Sequence, residues 1–231
     1  MTYLYLLLDI GSLSLPLIFS FHPKLRFYQY WKALFLSIAI MMAVFIPWDI
    51  IFTDNGFWGF NEAYFSGINI VNLPLEEWLF FICIPFACVF THFSLIYFFP
   101  NTQLSIKKTR LITNILIILM LLLTFIFHDR WYPQVNFSYA ILLLLIVKHY
   151  NVEVLQTYYL TFLVILIPFF IVNGILTGSF IENEVVWYDN DETMGIRMFT
   201  IPVEDSVYAF TMILTVLALT KYFKSKFSKA N

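Results

Sequence analysis

The feature that most constrains this chain is a succession of long apolar segments separated by shorter polar connections. An α-helix needs about 20 mostly apolar residues to cross the hydrocarbon core of a bilayer. Seven stretches approach or reach that length, at residues 3–21, 33–52, 75–99, 110–128, 137–150, 155–176 and 203–223. Since 61% of the 231 residues are hydrophobic and only 12% are charged, the sequence predicts an all-α polytopic membrane protein with about seven transmembrane helices.

Charges in the connections predict how these helices are oriented. Lysine and arginine concentrate in the first and third connections and in the C-terminal tail, whereas acidic residues dominate the second and sixth connections. Basic connections stay on the cytoplasmic side of a membrane. We therefore expect a multi-pass protein of the cell inner membrane, with its N-terminus outside and its C-terminus in the cytoplasm.

A tandem repeat divides the chain. The motif Pro-Leu-Glu-Glu at residues 74–77 opens the third apolar segment, and Pro-Val-Glu-Asp at residues 202–205 opens the last one, 128 residues later. A Gly-Ile pair precedes each motif at the same offset, at residues 67–68 and 195–196. Helices 1–3 should therefore correspond to helices 5–7.

The repeat predicts the domain organisation. Two parallel three-helix repeats, at residues 1–100 and 131–231, are expected on either side of a linker helix within residues 101–130. An offset of four helices keeps both copies in the same orientation, so both acid pairs should lie on the outer side of the membrane. A site between the two repeats is the natural place for them to converge.

An acid pair at the start of a membrane helix has two interpretations. Proline and carboxylates suit the first turn of any helix, whereas ionisable residues in membrane helices are costly and usually mark function. Because the pair occurs twice at matched positions, we favour a catalytic site made of Glu76, Glu77, Glu204 and Asp205. Neighbouring helical residues point about 100° apart, so one carboxylate of each pair can face the bundle. Glu76 and Glu204, each two residues after its proline, are the preferred pair.

Such a site suits proton-initiated chemistry on an apolar substrate. Two carboxyl groups in one apolar cavity tend to hold a single proton, because burial and like charge disfavour the second ionisation. One group then acts as acid and the other as base, and aromatic faces nearby can stabilise a carbocation. The supporting or substrate-binding candidates are Asp49, Asn173, Trp78, Tyr208 and Arg197. Asp9 is expected to make a structural hydrogen bond inside the bundle.

Other function classes lack their signatures. The sequence contains no G-x-S-x-G elbow, H-E-x-x-H pair, phosphate loop or dinucleotide fingerprint. Cys83 and Cys88 have no nearby cysteine or histidine partners suited to a metal, so neither a metal nor a cofactor is expected. No long basic face exists to bind nucleic acid. A retinal photoreceptor is excluded, since residues 203–220 contain no lysine.

The two acid motifs, their tandem arrangement and the helix number resemble the lycopene cyclase domain family over nearly the whole chain. The chain is similar to the fused form of the heterodimeric-type carotenoid cyclases. This resemblance implies a membrane-bound lycopene β-cyclase, an isomerase that works without a cofactor or net redox change. It would convert the acyclic ends of lycopene to β-ionone rings, giving γ-carotene and then β-carotene. Glu76, Glu77, Glu204 and Asp205 are its implied acid and base residues.

The implied partners are lycopene or another acyclic carotenoid, the lipid bilayer and other enzymes of the carotenoid pathway. Nothing in the sequence indicates an oligomeric state. A membrane transporter is an alternative, because internal repeats and intramembrane acids also suit transporters. A related membrane terpene cyclase or a carotenoid hydratase, with the same protonation and a different final step, is a further alternative.

Overall fold

A computed structural model describes residues 3–229 of the protein, and its helices follow the apolar segments. The seven α-helices are α1 (Leu4–Phe19), α2 (Trp31–Asp54), α3 (Leu75–Phe98), α4 (Ile106–Ile126), α5 (Trp131–Tyr150), α6 (Val152–Leu176) and α7 (Val203–Lys229). A short 3-10 helix, Phe27–Tyr30, leads into α2. We refer to α1–α3 as the first repeat and to α5–α7 as the second repeat.

Within residues 3–229, five helices are long and apolar enough to cross a membrane, namely α2, α3, α4, α6 and α7. Helix α1 is apolar but has only 16 residues, fewer than the roughly 20 that a perpendicular crossing needs. Helix α5 has 20 residues, and its apolar run is interrupted by polar side chains. The long apolar helices make this a membrane protein, while the seven crossings and the outside N-terminus stay predictions.

Helix α5 begins at Trp131, six residues before the predicted start of the fifth segment at residue 137. The difference arises from Gln134 and Asn136, whose polarity masks the helix in a hydropathy pattern. Both side chains have partners within the bundle: Gln134 Nε2 donates to the Thr124 carbonyl at 2.5 Å, and Asn136 Nδ2 donates to the Glu204 carbonyl at 2.8 Å. Because these donors are satisfied, the helix can begin with polar residues.

Helices of the two repeats pack against one another throughout the bundle. Within each repeat the first helix packs on the third, as α1 on α3 and α5 on α7. Between repeats, α2 packs along α7 and α6 packs along α3, and α4 packs on α5 and α6. The main buried core therefore contains side chains of both repeats, such as Phe45, Phe81 and Leu214.

Short strands form the polar connections before α3 and α7. Strand β1 (Trp58–Phe60) of the first repeat pairs antiparallel with β4 (Val186–Tyr188) of the second, with Trp58 opposite Tyr188. Two matching hairpins, β2–β3 (Asn69–Ile70 and Leu73–Pro74) and β5–β6 (Arg197–Met198 and Ile201–Pro202), lead directly into α3 and α7. We call the β1–β4 pair the ribbon, because it joins the two repeats.

A substitution at Gly59 tests how much the ribbon contributes to the stability of the protein. A Cβ atom at this residue would lie 2.4 Å from Cζ2 of Trp187, its cross-strand neighbour, far inside the normal separation of nonbonded carbon atoms. Gly59→Ala must displace the indole ring and should destabilise the protein by about 1–3 kcal/mol. The thermal unfolding midpoint of the purified protein in detergent measures this loss.

Gly11→Ala is the matched control. A Cβ atom at Gly11 has no atom within 4 Å, and alanine is favoured over glycine inside a helix by about 1 kcal/mol. This variant should unfold at the wild-type temperature or above. An equal destabilisation by both substitutions would contradict a specific role for the ribbon.

Candidate active site

The first acid of each motif holds the loop that precedes its helix. Glu76 and Glu204 are both buried in the first turns of α3 and α7. Glu76 Oε1 accepts a hydrogen bond from the Ser66 backbone N–H at 2.8 Å, and Glu204 Oε1 accepts one from the Met194 backbone N–H. Both residues of the second contact lie 128 residues after those of the first. The same hydrogen bond between the helix start and the preceding loop therefore occurs in both repeats.

The second acid of each motif faces a cavity inside the bundle. Glu77 and Asp205 line this cavity, whereas Glu76 and Glu204 lie behind them against the loops. The structure therefore places the preferred acid–base pair, Glu76 and Glu204, outside the cavity lining, and the second acid of each motif inside it. The physical reason is the rotation of about 100° between neighbouring helical residues, which turns the first acid toward its loop and the second toward the other repeat.

The cavity has a volume of about 270 Å³ and lies between α1, α3, α6 and α7. Its acidic groups gather at one end, around Glu77 and Asp205, and its remaining lining is largely apolar apart from Ser12 and Thr91. Along α3 the lining extends from Glu77 to Thr91, a rise of about 21 Å for 14 residues of helix. The cavity is thus long and narrow, with an acidic end.

The lining of the cavity reaches the outer surface of the helix bundle at Pro168. Trp58 and Tyr188 of the ribbon line its acidic end. At the side, Pro168 of α6 both lines the cavity and is exposed on the outer surface of the bundle. Leu163 and Ile167 of α6 are also exposed, at 63% and 64%, as is typical of a surface that contacts lipid.

Glu77 lies in a hydrogen-bonded cluster with a second carboxyl group. Tyr5 Oη donates to Glu77 Oε2, and the carboxyl groups of Glu77 and Asp49 are both buried and line the same end of the cavity. Trp58 Nε1 donates to Asp49 Oδ1 at 2.6 Å. Two neighbouring carboxyl groups in an apolar interior disfavour a second ionisation, because burial and like charge both oppose it. With both ionised, Asp49 Oδ2 has no donor within residues 3–229.

Asp205 is surrounded by donors instead. Its Oδ1 accepts from Tyr132 Oη at 2.6 Å, and its Oδ2 accepts from Asn173 Nδ2 at 2.9 Å and from Tyr188 Oη at 3.0 Å. Three donors to one carboxyl group stabilise its ionised form. Burial raises the pKa of the Tyr188 phenol well above its ordinary value, and the Asp205 charge adds to this rise, so Tyr188 stays a neutral donor.

The two halves of the site are related but not equivalent. Tyr5 and Tyr132, each the second residue of the first helix of its repeat, bond the acid of their own repeat. The next partner differs, since Glu77 contacts the carboxyl of Asp49 whereas Asp205 contacts the amide of Asn173. The first repeat therefore places two carboxyl groups at the cavity, whereas the second places one carboxyl group with three donors.

The structure brings together only part of the predicted supporting set. Asp49, Asn173 and Tyr208 line the cavity with Glu77 and Asp205. Trp78 and Arg197 lie outside its lining. Trp78 Nε1 donates to the Ile70 carbonyl at 3.3 Å. The Arg197 guanidinium is exposed and donates to the Thr200 carbonyl at 2.8 Å and to Asn190 Oδ1 at 2.9 Å.

Four aromatic donors of the site escaped the sequence analysis, namely Tyr5, Trp58, Tyr132 and Tyr188. Tyr5 and Tyr132 occupy matched positions in the two repeats. This match can be recognised in the sequence only when the start of α5 is known. Trp58 and Tyr188 lie in the connections before α3 and α7, and their place in the site depends on the pairing of β1 with β4, which joins distant parts of the chain.

Comparison with known proteins fits this two-repeat site. A family model described as lycopene cyclase matches residues 2–96 and 129–223, so each matched segment spans three helices and one acid motif. No curated relative and no solved structure matches the chain. Since the matched segments together cover more than half of the sequence, the protein belongs to the lycopene cyclase family.

Proposed function

We propose that the protein is an integral membrane lycopene β-cyclase that closes the acyclic ends of lycopene by protonation, without net redox change. The observation that carries this proposal is the cavity itself. It is long and largely apolar, its lining includes the exposed Pro168, and at one end the carboxyl groups of Glu77 and Asp49 face the hydrogen-bonded Asp205. Membership of the lycopene cyclase family supports a carotenoid substrate and a cyclisation reaction.

The cavity suits one end of a linear hydrocarbon. Its length of about 21 Å along α3 accommodates an extended end group, with the rest of the molecule leaving at Pro168 into the bilayer. No charged groups other than the acids lie among its lining residues within 3–229. Specific binding would then come from apolar contact, and the acids would meet only the terminal double bonds.

The carboxyl pair of Glu77 and Asp49 is the proposed proton donor. It holds a proton in its hydrogen-bonded state, and Glu77 lines the cavity together with the ring of Phe80. Transfer of this proton to the terminal alkene forms a C–H bond and leaves a tertiary carbocation. The faces of Trp58, Tyr132 and Tyr208 surround the acidic end and stabilise positive charge through cation–π attraction.

Asp205 is the proposed base. The carbocation is attacked by the neighbouring double bond, which forms the six-membered ring and moves the charge onto the ring. The Asp205 carboxylate then removes a ring proton, so a double bond forms and no net charge remains on the product. The ribbon covers the acidic end and limits water there, which favours proton loss over the water addition that a hydratase requires.

In this proposal the two repeats, at residues 1–100 and 131–231, are functional halves joined by the linker at residues 101–130. The first repeat supplies the acid and the second supplies the base. Lycopene reaches the site from the bilayer, either freely or from other membrane enzymes of the carotenoid pathway.

Amide substitutions test the two assigned acids. Glu77→Gln and Asp205→Asn keep the size of each side chain but remove the donor and the base, so each should lower ring formation roughly 100-fold or more. Pigments extracted from lycopene-producing cells and separated by chromatography provide the measurement. Immunoblots of the membranes control for the amount of protein.

Glu76→Gln and Glu204→Gln are the matched controls, because a glutamine carbonyl can still accept the loop N–H that each glutamate binds. These variants should retain most of the cyclic products. Loss of activity only in the controls would reverse the assignment. Unchanged pigments with wild-type protein, together with substrate flux in liposomes, would instead favour a transporter.

The pH dependence of the Tyr188→Phe variant tests the assignment of Asp205 as the base. Phenylalanine cannot donate to Asp205, so the carboxylate loses one of its three donors and is protonated at a higher pH. The acid limb of the kcat profile should therefore move to higher pH. Tyr64→Phe is the control, because Tyr64 Oη donates to the Glu182 carbonyl in the loops. An unchanged acid limb in Tyr188→Phe would contradict the role of Asp205.

The proposed topology has the acidic end of the cavity on the outer side of the cell inner membrane. Phe180 is 99% exposed in the connection between α6 and α7, and Ser228 is exposed near the end of α7. In intact cells, a membrane-impermeant thiol reagent should label Phe180→Cys and not Ser228→Cys. The wild type is the control, since Cys83 and Cys88 lie within α3. The reverse pattern would invert the topology.

A further inference from the structure

We propose that the two hairpins, β2–β3 and β5–β6, are membrane anchors whose tips, Val71 and Phe199, insert into the lipid leaflet on the side of the acid pairs. These tips lie outside the lining of the cavity, and the inference holds whatever reaction the cavity catalyses. It rests on the membrane location of the helices. Trp78 and Arg197, which the cavity does not use, belong to the same surface.

Each hairpin turns at an apolar residue whose backbone conformation suits glycine. Val71 has a φ of 62°, and Phe199, its equivalent in the second repeat, has a φ of 58°. Left-handed values of φ are strained for β-branched and bulky residues, and a two-residue hairpin turn normally places glycine, asparagine or aspartate there. Both repeats therefore keep an apolar side chain where a smaller residue would suit an aqueous turn better.

The tips form exposed apolar surface. Val71 is 71% exposed and Phe199 is 89% exposed. Ile68 and Ile196, which immediately precede the two hairpins and are also equivalent, are 55% and 53% exposed. A single exposed apolar residue needs no explanation, but a contiguous apolar patch marks a contact surface. The matched patches indicate that both hairpins contact an apolar phase.

The hairpins are fixed against the ends of the second helix of each repeat. Asn72 Nδ2 donates to the Ile50 carbonyl of α2 at 2.9 Å, and Thr200 Oγ1 donates to the Gly174 carbonyl of α6 at 3.2 Å. Ile50 and Gly174 each follow the polar residue that their helix contributes to the cavity. The two contacts are therefore equivalent, and each repeat holds its tip in the same place.

Exposed apolar side chains of α2 and α6 continue the surface of the tips. Ile51, next to the carbonyl that holds the first hairpin, is 57% exposed. In the second repeat the rings of Phe199 and Phe170 meet edge to face with centroids 6.4 Å apart, and Ile171 is 60% exposed. A bilayer that covers these helix faces also covers the tips. Lipid, rather than a second protein, is therefore the occupant of this surface.

Trp78 and Arg197 supply the groups that suit the headgroup level. Trp78 Nε1 donates to the Ile70 carbonyl of the first hairpin at 3.3 Å, and tryptophan is enriched at membrane interfaces. The Arg197 guanidinium is exposed beside the second tip and donates to the Thr200 carbonyl and to Asn190 Oδ1. Its other N–H groups can donate to a lipid phosphate.

The anchors set the depth of the acids in the membrane. Helices α3 and α7 begin at Leu75 and Val203, directly after the hairpins. Glu77 and Asp205 are three residues beyond the last strand residue of each hairpin, a rise of about 5 Å along a helix. With the tips at the interface, both acids lie just inside the boundary of the hydrocarbon.

Spin labels on the tips test their insertion. Val71→Cys and Phe199→Cys proteins are labelled with a nitroxide and reconstituted in phosphatidylcholine vesicles. Their labels should be several-fold more accessible to oxygen, which concentrates in lipid, than to a water-soluble nickel chelate present on both sides. Glu62→Cys is the control, because Glu62 is exposed in the same connection as the first hairpin, and its label should favour the chelate. The wild type, with Cys83 and Cys88 in α3, gives the background signal.

Two outcomes would overturn the proposal. Tip labels as accessible to the chelate as the label at residue 62 would place the hairpins in water. Tip labels shielded from oxygen and chelate alike would mean that protein covers them.

A reporter label on the same hairpin tests the tip itself. In Ile196→Cys protein, a second substitution Phe199→Asp should raise access of the chelate to the label, because a charge resists insertion into lipid. Phe199→Leu is the matched control and should leave access unchanged. An unchanged reporter in the Phe199→Asp protein would contradict the role of the tip.

Solid-state NMR tests the contact with the headgroup. Protein with ¹³C-labelled arginine guanidinium groups should show dipolar coupling to lipid ³¹P that decreases in Arg197→Gln. Equal coupling in the wild type and in Arg197→Gln would remove Arg197 from the anchor.

Discussion

The free-energy cost of burying carboxyl groups in an apolar interior determines how the site of this structure is arranged. An isolated ionised carboxylate there is prohibitively expensive, so each buried acid must be hydrogen-bonded or protonated. Asp205 meets this condition with three donors, and Glu77 accepts a hydrogen bond from Tyr5. Tyr5, Tyr132 and the ribbon are placed where they can satisfy these acids, and the cavity lies in the space that remains between them.

The tandem repeat supplies two copies of one framework, and a few substitutions make them different. The α2–α7 interface is filled by aromatic rings, with centroids of Phe45 and Tyr208 at 5.1 Å and of Trp48 and Tyr208 at 5.0 Å. The related α3–α6 interface contains the cavity. Carboxyl groups at residues 9 and 49 correspond to amides at 136 and 173. The two repeats thus place different chemical groups at equivalent positions of the site.

Much of the fold could be predicted from the sequence because hydropathy and the repeated motif are local signals. Helices α3 and α7 begin within a residue of their predicted starts, since proline and the acid pair mark both. The predicted start of α5 is wrong because its buried polar residues give the same hydropathy pattern as a loop. Which acid of each pair faces the cavity depends on how two distant helices are rotated against each other. Trp78 and Arg197 have suitable chemistry and lie near the motifs in sequence, but their side chains point to the loops.

The sideways mouth at Pro168 has a kinetic consequence. For a substrate that enters from the hydrocarbon phase, the effective concentration is its mole fraction in the membrane. The amount of substrate per bulk volume does not set this concentration. Reaction rates should therefore follow the ratio of carotenoid to lipid, and adding empty vesicles that exchange lipid would slow the enzyme by dilution alone. Such an enzyme obeys two-dimensional kinetics, in which the bilayer is the solvent.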